Sequence, residues 1–222
     1  MDRDTRLGAA FFLLATVGVP MAGAGLQVAL DGRPSGPLGR VLAHVRERLD
    51  ERGIDNVAGY GDLLTRAAAE AEVEAALLGG IMFAESRGRP GQTSSAGALG
   101  LMQLVPGAAR DAARRAEIEV PGDDRELAEL LLRDDALNVR LGAAHLRWLL
   151  DHRGEWSLEA VLVSYNAGRA RLFQWIDRHG SYGAWVRSEE EAAARGAPTT
   201  GALAYARQVL AAREALRERA IL

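Results

Sequence analysis

Apolar and polar positions along this 222-residue chain follow the period of an α-helix over most of its length. Helices are predicted at residues 38–52, 63–86 in one or two pieces, 100–116, 125–132, 134–152, 157–166, 170–178 and 202–220. Turns or irregular loops are predicted at residues 56–61, 88–98, 121–124 and 180–200, the last with one or two solvated helical turns at 189–195. Gly53 is expected to end the first helix. Ser157 is expected to cap the N-terminus of the helix predicted at 157–166. The chain is therefore predicted to be mainly α-helical, with at most a small β-hairpin.

The N-terminal segment differs from the rest of the chain, because Leu7 to Leu30 is mostly apolar and contains no charged residue. This pattern is typical of a secretory signal peptide at residues 1–24, with a small-residue cleavage site at Ala22-Gly23-Ala24. The run is also long enough to span a membrane uncleaved, as an anchor over residues 7–30, or to form a buried core helix. The first two interpretations export the chain to the periplasm or cell envelope. A linker and N-terminal helix at 31–56 and one folded domain at 57–222 are predicted to follow.

A single carboxylate, Glu85, falls near the end of an apolar helical segment. Leu78, Ile81 and Met82 precede it at helical spacing and therefore share its face. Burial on that face disfavours the charged form and raises the pKa of the carboxyl group, which makes it a proton donor usable near neutral pH. The alternative is a Glu at a fraying helix end that faces solvent. The pair Gly79-Gly80 in the same helix is expected to let another backbone or a ligand come close.

Composition excludes several classes of function. The net charge of −3 is unfavourable for binding duplex nucleic acid. All 27 basic residues are Arg, so the chain has no Lys for Schiff-base chemistry or for a phosphate-binding loop. It has no Cys, and therefore no disulfide framework and no thiol nucleophile. The four His residues are scattered without metal-ligand spacing, so neither a metal nor another cofactor is predicted.

Two aromatic positions are candidates for the edge of a cleft. His145 lies near the apolar stripe of the predicted helix 134–152 and is expected to be a core or cleft-edge group. The four Trp residues are expected to be core by default, since large aromatic side chains dominate core burial. Trp185 lies in the segment predicted to be rich in turns and is the best candidate among them for a cleft wall.

Four sequence pieces occur in an order that identifies a family. They are Glu85-Ser86 with Ser94 and the run Gly97 to Leu104 with Pro106, then Asp134 with Asn138 to Gly142 and Leu146, then Ser164 to Gly168, and finally Tyr205 with Val209-Leu210. Together they cover about residues 60–215. In these motifs the chain resembles the lytic transglycosylase module of the lysozyme-like superfamily, whose members cut the glycan of bacterial peptidoglycan. The resemblance implies an α+β lysozyme-like fold, a helical bundle around a central helix that carries Glu85.

The resemblance also implies a mechanism. Glu85 is expected to act alone, first as the acid toward the β-1,4 bond between N-acetylmuramic acid and N-acetylglucosamine and then as the base toward the 6-hydroxyl of the sugar. A 1,6-anhydro product results. Asp111 is the first Asp after Glu85, too distant in sequence to match the partner carboxylate of a lysozyme. The residues expected to bind substrate are Ser94, Gly97, Ala98, Met102, Gln103, Tyr165, Asn166 and Tyr205. The expected roles include a bond from Ser94 to Glu85 or the sugar, packing of Met102 on the N-acetyl methyl, and a bond from Tyr205 to Glu85.

The resemblance implies peptidoglycan strands as the partner, no nucleic acid and no cofactor. A secretion or pilus machine is a further partner that it allows, and membrane attachment requires an uncleaved N-terminal segment. Two alternatives stay open: hydrolysis to a reducing end, as in goose-type lysozymes, and a non-catalytic glycan-binding protein.

Three positions depart from the family pattern, and none of them is Glu85. Gly201 and Ala202 stand where a Glu-Thr pair is usual before the Tyr of the last core helix. Arg169-Ala170 stands where Pro-Gly usually follows the Tyr-Asn-Ala-Gly motif, and Gly107 to Ala109 replaces the usual residues after Pro106. The first change removes a polar group near the cleft, and the other two are interpreted as variants of a turn and of a helix start.

Overall fold

The computed structural model describes residues 37–222, and side chains from residue 47 onward except Leu49. The predicted signal peptide at 1–24, the alternative anchor at 7–30 and the first part of the predicted linker lie outside this part of the chain. The helices of residues 37–222 are, in chain order, α1 Pro37–Ala58, α2 Gly61–Ala71, α3 Ala75–Ser86, α4 Pro106–Arg115, α5 Asp124–Arg133, α6 Asp135–Asp151, α7 Leu158–Ala167, α8 Arg169–His179, α9 Tyr182–Ala194 and α10 Ala202–Glu218. The mainly α-helical prediction is confirmed.

Helix α3 is the centre of the bundle and contacts α1, α2, α6 and α10. Eleven of its twelve residues are buried, because its sequence is apolar on every face. A Cβ built on Gly80 would lie 2.5 Å from the backbone oxygen of Val209 in α10. The glycine therefore permits close contact between the two helices, which confirms the predicted approach of another backbone. The predicted helix 63–86 is indeed in two pieces, since Glu72 ends α2 in a left-handed conformation.

The prediction that Gly53 ends the first helix is wrong, because α1 continues to Ala58. A Cβ on Gly53 would lie 2.7 Å from the ring of Phe83, so this glycine gives room for an aromatic side chain instead of breaking the helix. Ser157 does cap α7, as predicted, because its hydroxyl accepts a bond of 3.2 Å from the backbone N–H of Ala160.

The predicted helix 100–116 is wrong in its first part, since α4 begins only at Pro106. Leu99 and Leu104 exchange two backbone hydrogen bonds of 3.1 Å, which form an isolated antiparallel bridge. Gly100 has a φ of +74°, a conformation that turns the chain and that an α-helix does not contain. The extended backbone between residues 93 and 104 is limited to two isolated bridges, Thr93 with Leu99 and Leu99 with Leu104, so the small hairpin allowed by the sequence is reduced to bridges.

The segment predicted to be rich in turns contains helix α9, which Ser181 caps through a bond of 3.1 Å from the N–H of Ala184. Trp185 lies on the inner face of this helix, is 1% exposed and stacks on Trp175 at 5.1 Å. The interpretation of Trp185 as a cleft wall is therefore wrong, because its ring belongs to the core. Within residues 37–222, no helix is both long enough and apolar enough to cross a membrane.

Candidate active site

The candidate site is a groove of about 130 Å³ at the end of α3. Its lining comes from α3, the loop that precedes α4, the start of α4, α6 and the end of α7. The lining residues are Glu85, Ser94, Ala96, Ala98, Gln103, Leu104, Val105, Ala108, His145, Tyr165 and Asn166. Glu85 is only 8% exposed, with Leu78, Ile81 and Met82 fully buried on its helix. The prediction of a carboxyl group on the buried face is confirmed, and the solvent-facing alternative is wrong.

The last helix, α10, contributes a side chain that bonds Glu85. The hydroxyl of Tyr205 donates a hydrogen bond of 2.8 Å to Oε1 of Glu85, which confirms the predicted contact. Burial raises the pKa of Glu85 to about 8, and the bond from Tyr205 opposes this rise only in part. Glu85 is therefore mainly protonated at neutral pH and can act as a general acid. Burial, with the nearby Glu85, also raises the pKa of both Tyr165 and Tyr205, so these side chains stay neutral.

The loop opposite Glu85 is closed by bonds within itself. Ser94 accepts a bond of 3.0 Å from the N–H of Ala98, and its own N–H donates to the carbonyl of Ala98 at 2.9 Å. Ser94 therefore lines the groove while its hydroxyl fixes the turn; no bond to Glu85 is formed among the described residues. Gly97 lies at the exposed tip of this turn with a φ of +76° and does not line the groove. Gln103 lines the groove, and its Nε2 donates to the carbonyl of Gly100 at 2.9 Å.

Met102 does not line the groove, because its side chain is fully buried against α6. A Cβ on Gly142 would lie 2.7 Å from Cγ of Met102, so Gly142 makes the space that this side chain fills. Packing of Met102 on an N-acetyl methyl would therefore require this side chain to leave the core. Its backbone N–H donates a bond of 2.8 Å to Oδ1 of Asn138, which is fully buried.

Asn138 was not among the predicted site residues, although it anchors the whole loop. Its Nδ2 donates to the carbonyls of Leu99 at 2.9 Å and Leu131 at 3.2 Å, in addition to the bond accepted from Met102. One buried amide thus joins the groove loop, α5 and α6. The signal in the sequence is an Asn at a buried position of an amphipathic helix, since such a side chain needs several partners.

His145 and Tyr165 form the wall next to Asn166. The ring of His145 meets the ring of Tyr165 edge-on, with centroids 5.1 Å apart. Because His145 also lines the groove, its interpretation as a cleft-edge group is correct and the alternative, a core group, is not. Burial, followed by the nearby Arg115, lowers the pKa of His145 to about 4, so its imidazole is neutral at pH 7. Val105 is 40% exposed at the groove and was missed, because a single Val between two motifs carries no signal of its own.

Six of the predicted site residues thus come together at the groove: Glu85, Ser94, Ala98, Gln103, Tyr165 and Asn166. Tyr205 reaches the site through Glu85, whereas Gly97 and Met102 lie outside the lining. Glu85 is the only carboxylate among the described lining residues. Across residues 37–222, no three His, Asp or Glu side chains converge as ligands for a metal ion.

Comparison with known proteins places this arrangement in a family. The model of the transglycosylase SLT domain matches residues 62–187, more than half of the chain and a stretch that holds every residue of the groove lining. The chain belongs to the transglycosylase SLT domain family. Its match to the soluble lytic murein transglycosylase of Salmonella typhimurium is 28% identical over 138 residues, which are 62% of this chain and 19% of that protein. A transglycosylase of Enterobacteria phage PRD1 is 32% identical over 123 residues, 55% of this chain and 40% of the phage protein.

Solved structures agree with the SLT fold. An inactive mutant of the lytic transglycosylase Slt from Pseudomonas aeruginosa aligns with a TM-score of 0.56 and 26% identity, over 71% of this chain and 24% of that one. The 70 kDa soluble lytic transglycosylase of Escherichia coli gives the same TM-score and identity, over 72% of this chain and 24% of that one. The SLT domain described above therefore spans about a fifth to a quarter of the length of these large soluble relatives.

Proposed function

We propose that this protein is a peptidoglycan lytic transglycosylase, with Glu85 as its single acid and base. The observation that carries the proposal is the burial of Glu85 at the floor of the groove, with a pKa raised to about 8 and a hydrogen bond from Tyr205. A glycosidase needs an acid that is protonated at working pH beside the leaving oxygen. A carboxyl group with an ordinary pKa does not meet that condition near neutral pH.

The reaction begins with protonated Glu85. Its proton passes to the oxygen of the β-1,4 bond between N-acetylmuramic acid and N-acetylglucosamine, and the bond from that oxygen to the anomeric carbon of muramic acid breaks. The leaving sugar departs with a new hydroxyl group, while positive charge develops at the anomeric carbon. The N-acetyl group of the substrate is placed to stabilise that charge, as in the family that the motifs resemble.

In the second step Glu85 is a carboxylate and acts as the base. It takes the proton from the 6-hydroxyl of the same muramic acid, whose oxygen then bonds to the anomeric carbon. The product is a 1,6-anhydro sugar, Glu85 is protonated again, and no water enters the reaction. One carboxyl group is sufficient for both steps, which agrees with the single carboxylate in the described lining.

The remaining groove residues are proposed to hold the glycan. Gln103 offers its amide oxygen to donors on the sugars, because its Nε2 already donates to the carbonyls of Gln92 and Gly100. Asn166 and Tyr165 line the groove beside it. Ser94 and Ala98 keep the opposite loop in shape. Since peptidoglycan lies outside the cytoplasm, the proposed place of action is the periplasm or cell envelope, with glycan strands as the partner.

Analysis of the products tests the proposal. The protein is incubated with purified peptidoglycan, and the released muropeptides are examined by mass spectrometry. Anhydro-muramyl products, each lighter by one water than a hydrolysed end, are expected. Reducing ends instead would make the protein a hydrolase of the goose-type lysozyme kind, and binding without any product would make it a glycan-binding protein.

The variant Glu85→Gln is the matched control, since the amide has almost the same shape as the carboxyl group but is not acidic enough to transfer a proton. We expect it to release no products and to keep its affinity for the glycan, measured by sedimentation with insoluble peptidoglycan. Full activity of this variant would remove Glu85 from the mechanism.

A further inference from the structure

A continuous row of aromatic and arginine side chains leads away from the groove. We call it the aromatic–arginine strip, and its members are His145, Trp148, Arg115, Arg169, Trp156 and Phe173. It begins at the groove wall, where His145 lies beside Tyr165. Neither the proposed reaction nor the roles assigned to the groove residues uses the strip beyond His145.

Ring contacts connect the strip from end to end. The rings of His145 and Trp148 are stacked with centroids 6.2 Å apart, one turn apart on α6. The guanidinium of Arg169 lies 5.3 Å from the ring of Trp148 and 5.2 Å from the ring of Trp156. Trp156 in turn lies 4.9 Å from Phe173, which is 44% exposed. Arg169 is the first residue of α8 and follows Asn166 by three residues, so the strip and the groove meet at the junction of α7 and α8.

The two arginines of the strip have weaker charge partners than several arginines elsewhere on the described surface. Arg140, Arg207 and Arg213 each form a close ion pair with a carboxylate of another helix or turn. Within residues 47–222, Arg169 forms no ion pair, and its guanidinium donates to the backbone carbonyl of His152 at 2.6 Å. Arg115 lies 4.1 Å above the ring of Trp148 and reaches the carboxylate of Asp111 only at 3.9 Å.

Arg169, which has aromatic faces around it and no ion pair within residues 47–222, favours a carboxylate ligand. Arg115 contributes less, because Asp111 lies 3.9 Å from it and Glu70, Glu72 and Asp151 line the same cavity as Arg115 and Trp148. An arginine stacked on a ring is held in place and keeps its outer N–H groups for bidentate hydrogen bonds to an anion. Exposed aromatic rings such as Phe173 add apolar contact to the same ligand.

The geometry points to the aromatic–arginine strip as a binding site for the carboxylate-bearing peptide stem of the peptidoglycan strand whose glycan occupies the groove. This inference rests on the proposed function. The stem is attached to muramic acid, the sugar at which the proposed cleavage occurs, and therefore leaves the glycan next to Glu85. A stem that leaves on the side of His145 meets Trp148 and then Arg169.

The experiment compares cleavage of two substrates, peptidoglycan that carries its stems and the same glycan after an amidase has removed them. The variant Arg169→Ala is expected to lower kcat/KM at least about fivefold more for the stem-bearing strands than for the bare ones, mainly through KM. Phe173→Ala, at an exposed position, is expected to act in the same direction with a smaller effect. Arg169→Lys keeps the charge but not the planar fork, and is expected to restore part of the loss.

Arg133→Ala is the matched control, because Arg133 is an exposed arginine at the end of α5 outside the strip. This variant is expected to leave kcat/KM unchanged for both substrates. Thermal unfolding of each variant shows whether the loss of the bond from Arg169 to His152 has changed the fold. A third substrate carries stems whose carboxylates have been converted to amides. For this substrate, the loss of kcat/KM caused by Arg169→Ala is expected to be as small as for the bare strands.

Equal effects of Arg169→Ala on stem-bearing and bare strands, or no effect on either, would overturn the assignment of the strip to the stem. If the unaltered protein cleaves neither substrate, the proposed function itself fails, and the failure is distinguishable from that of the strip. Equal loss on both substrates would instead make the strip a sugar-binding surface.

Discussion

The hydroxyl of Tyr205 lies 2.8 Å from Oε1 of Glu85, across 120 positions of sequence. The two side chains come from α10 and α3, which are in direct contact because Gly80 lets their backbones approach. The bond favours the charged form of Glu85, while burial favours the neutral form. Tyr205 therefore moderates the pKa of the proposed catalytic acid without lining the groove.

Tyr205→Phe is expected to raise the pKa of Glu85 further, since it removes the contribution that lowers it. The alkaline limb of the pH–activity profile then moves to higher pH. The rate falls about tenfold, because the carboxylate formed after proton donation loses its hydrogen bond. Product release from peptidoglycan, followed between pH 5 and 10, measures both effects. Tyr60→Phe is the control, since the hydroxyl of Tyr60 bonds Asp135 away from the groove. An alkaline limb that stays in place would contradict the role of Tyr205.

Asn138→Ala is expected to destabilise the protein by about 3 kcal/mol, because it removes three buried hydrogen bonds, to the N–H of Met102 and the carbonyls of Leu99 and Leu131. Of these groups, the carbonyl of Leu99 keeps its bond from the N–H of Leu104. The groove loop loses its anchor on α6, so activity is also expected to fall in the fraction that stays folded. Urea unfolding gives the change in free energy. Gln174→Ala, an exposed amide on α8, is expected to change stability by less than about 0.5 kcal/mol. Similar values for the two variants would show that the amide of Asn138 does not hold the loop.

Much of the fold could be predicted from the sequence, because most helices bury one apolar face that repeats at helical spacing. The spacing of Leu78, Ile81 and Met82 made a buried Glu85 possible but left the solvent-facing alternative open, and the family motifs decided for burial. The contact of Tyr205 also followed from the family motifs. These features depend on local pattern or on motifs that occur in a fixed order.

Other features depend on contacts that no local pattern records. Residues 100–105 turn because Gly100 has a positive φ and because Asn138, distant in sequence, binds this loop. The segment around Trp185 contains several turn-forming residues, yet the burial of its ring against Trp175 stabilises a helix there. The position of His145 at the groove depends on its neighbour Tyr165, which comes from another helix.

The close contact of α3 with α10 can be tested by a pair of glycine substitutions. Gly80→Ala places a Cβ 2.5 Å from the backbone oxygen of Val209 and is expected to destabilise the protein by about 1–3 kcal/mol. Gly107→Ala, in the first turn of α4, meets no atom within 4 Å and is expected to stabilise it by about 0.5 kcal/mol. Chemical unfolding of both variants gives the two changes. Equal changes in the free energy of unfolding would mean that the helices are free to separate by a few tenths of an ångström.

The raised pKa of Glu85 also predicts how stability depends on pH. In the unfolded chain its pKa is near the ordinary value of 4.5, and in the folded protein it is about 8. Between these values the folded state binds more protons than the unfolded state, so this group makes stability fall as pH rises. The loss of stability that comes from burying the charged carboxylate is absent below about pH 4.5 and complete above about pH 8.

Glu85→Gln removes this dependence, because the amide is neutral at every pH. The variant is therefore expected to be more stable than the unaltered protein at pH 9, by a difference on the order of 4 kcal/mol that shrinks toward zero near pH 4.5. Urea unfolding of both proteins at pH 5, 7 and 9 measures the difference, and contributions from the other titrating groups cancel in it. Glu119→Gln, in which the substituted side chain lies in solvent, controls for the loss of a carboxyl group. A difference between Glu85→Gln and the unaltered protein that stays constant from pH 5 to 9 would contradict a proton held on Glu85 at neutral pH, and with it the proposed acid.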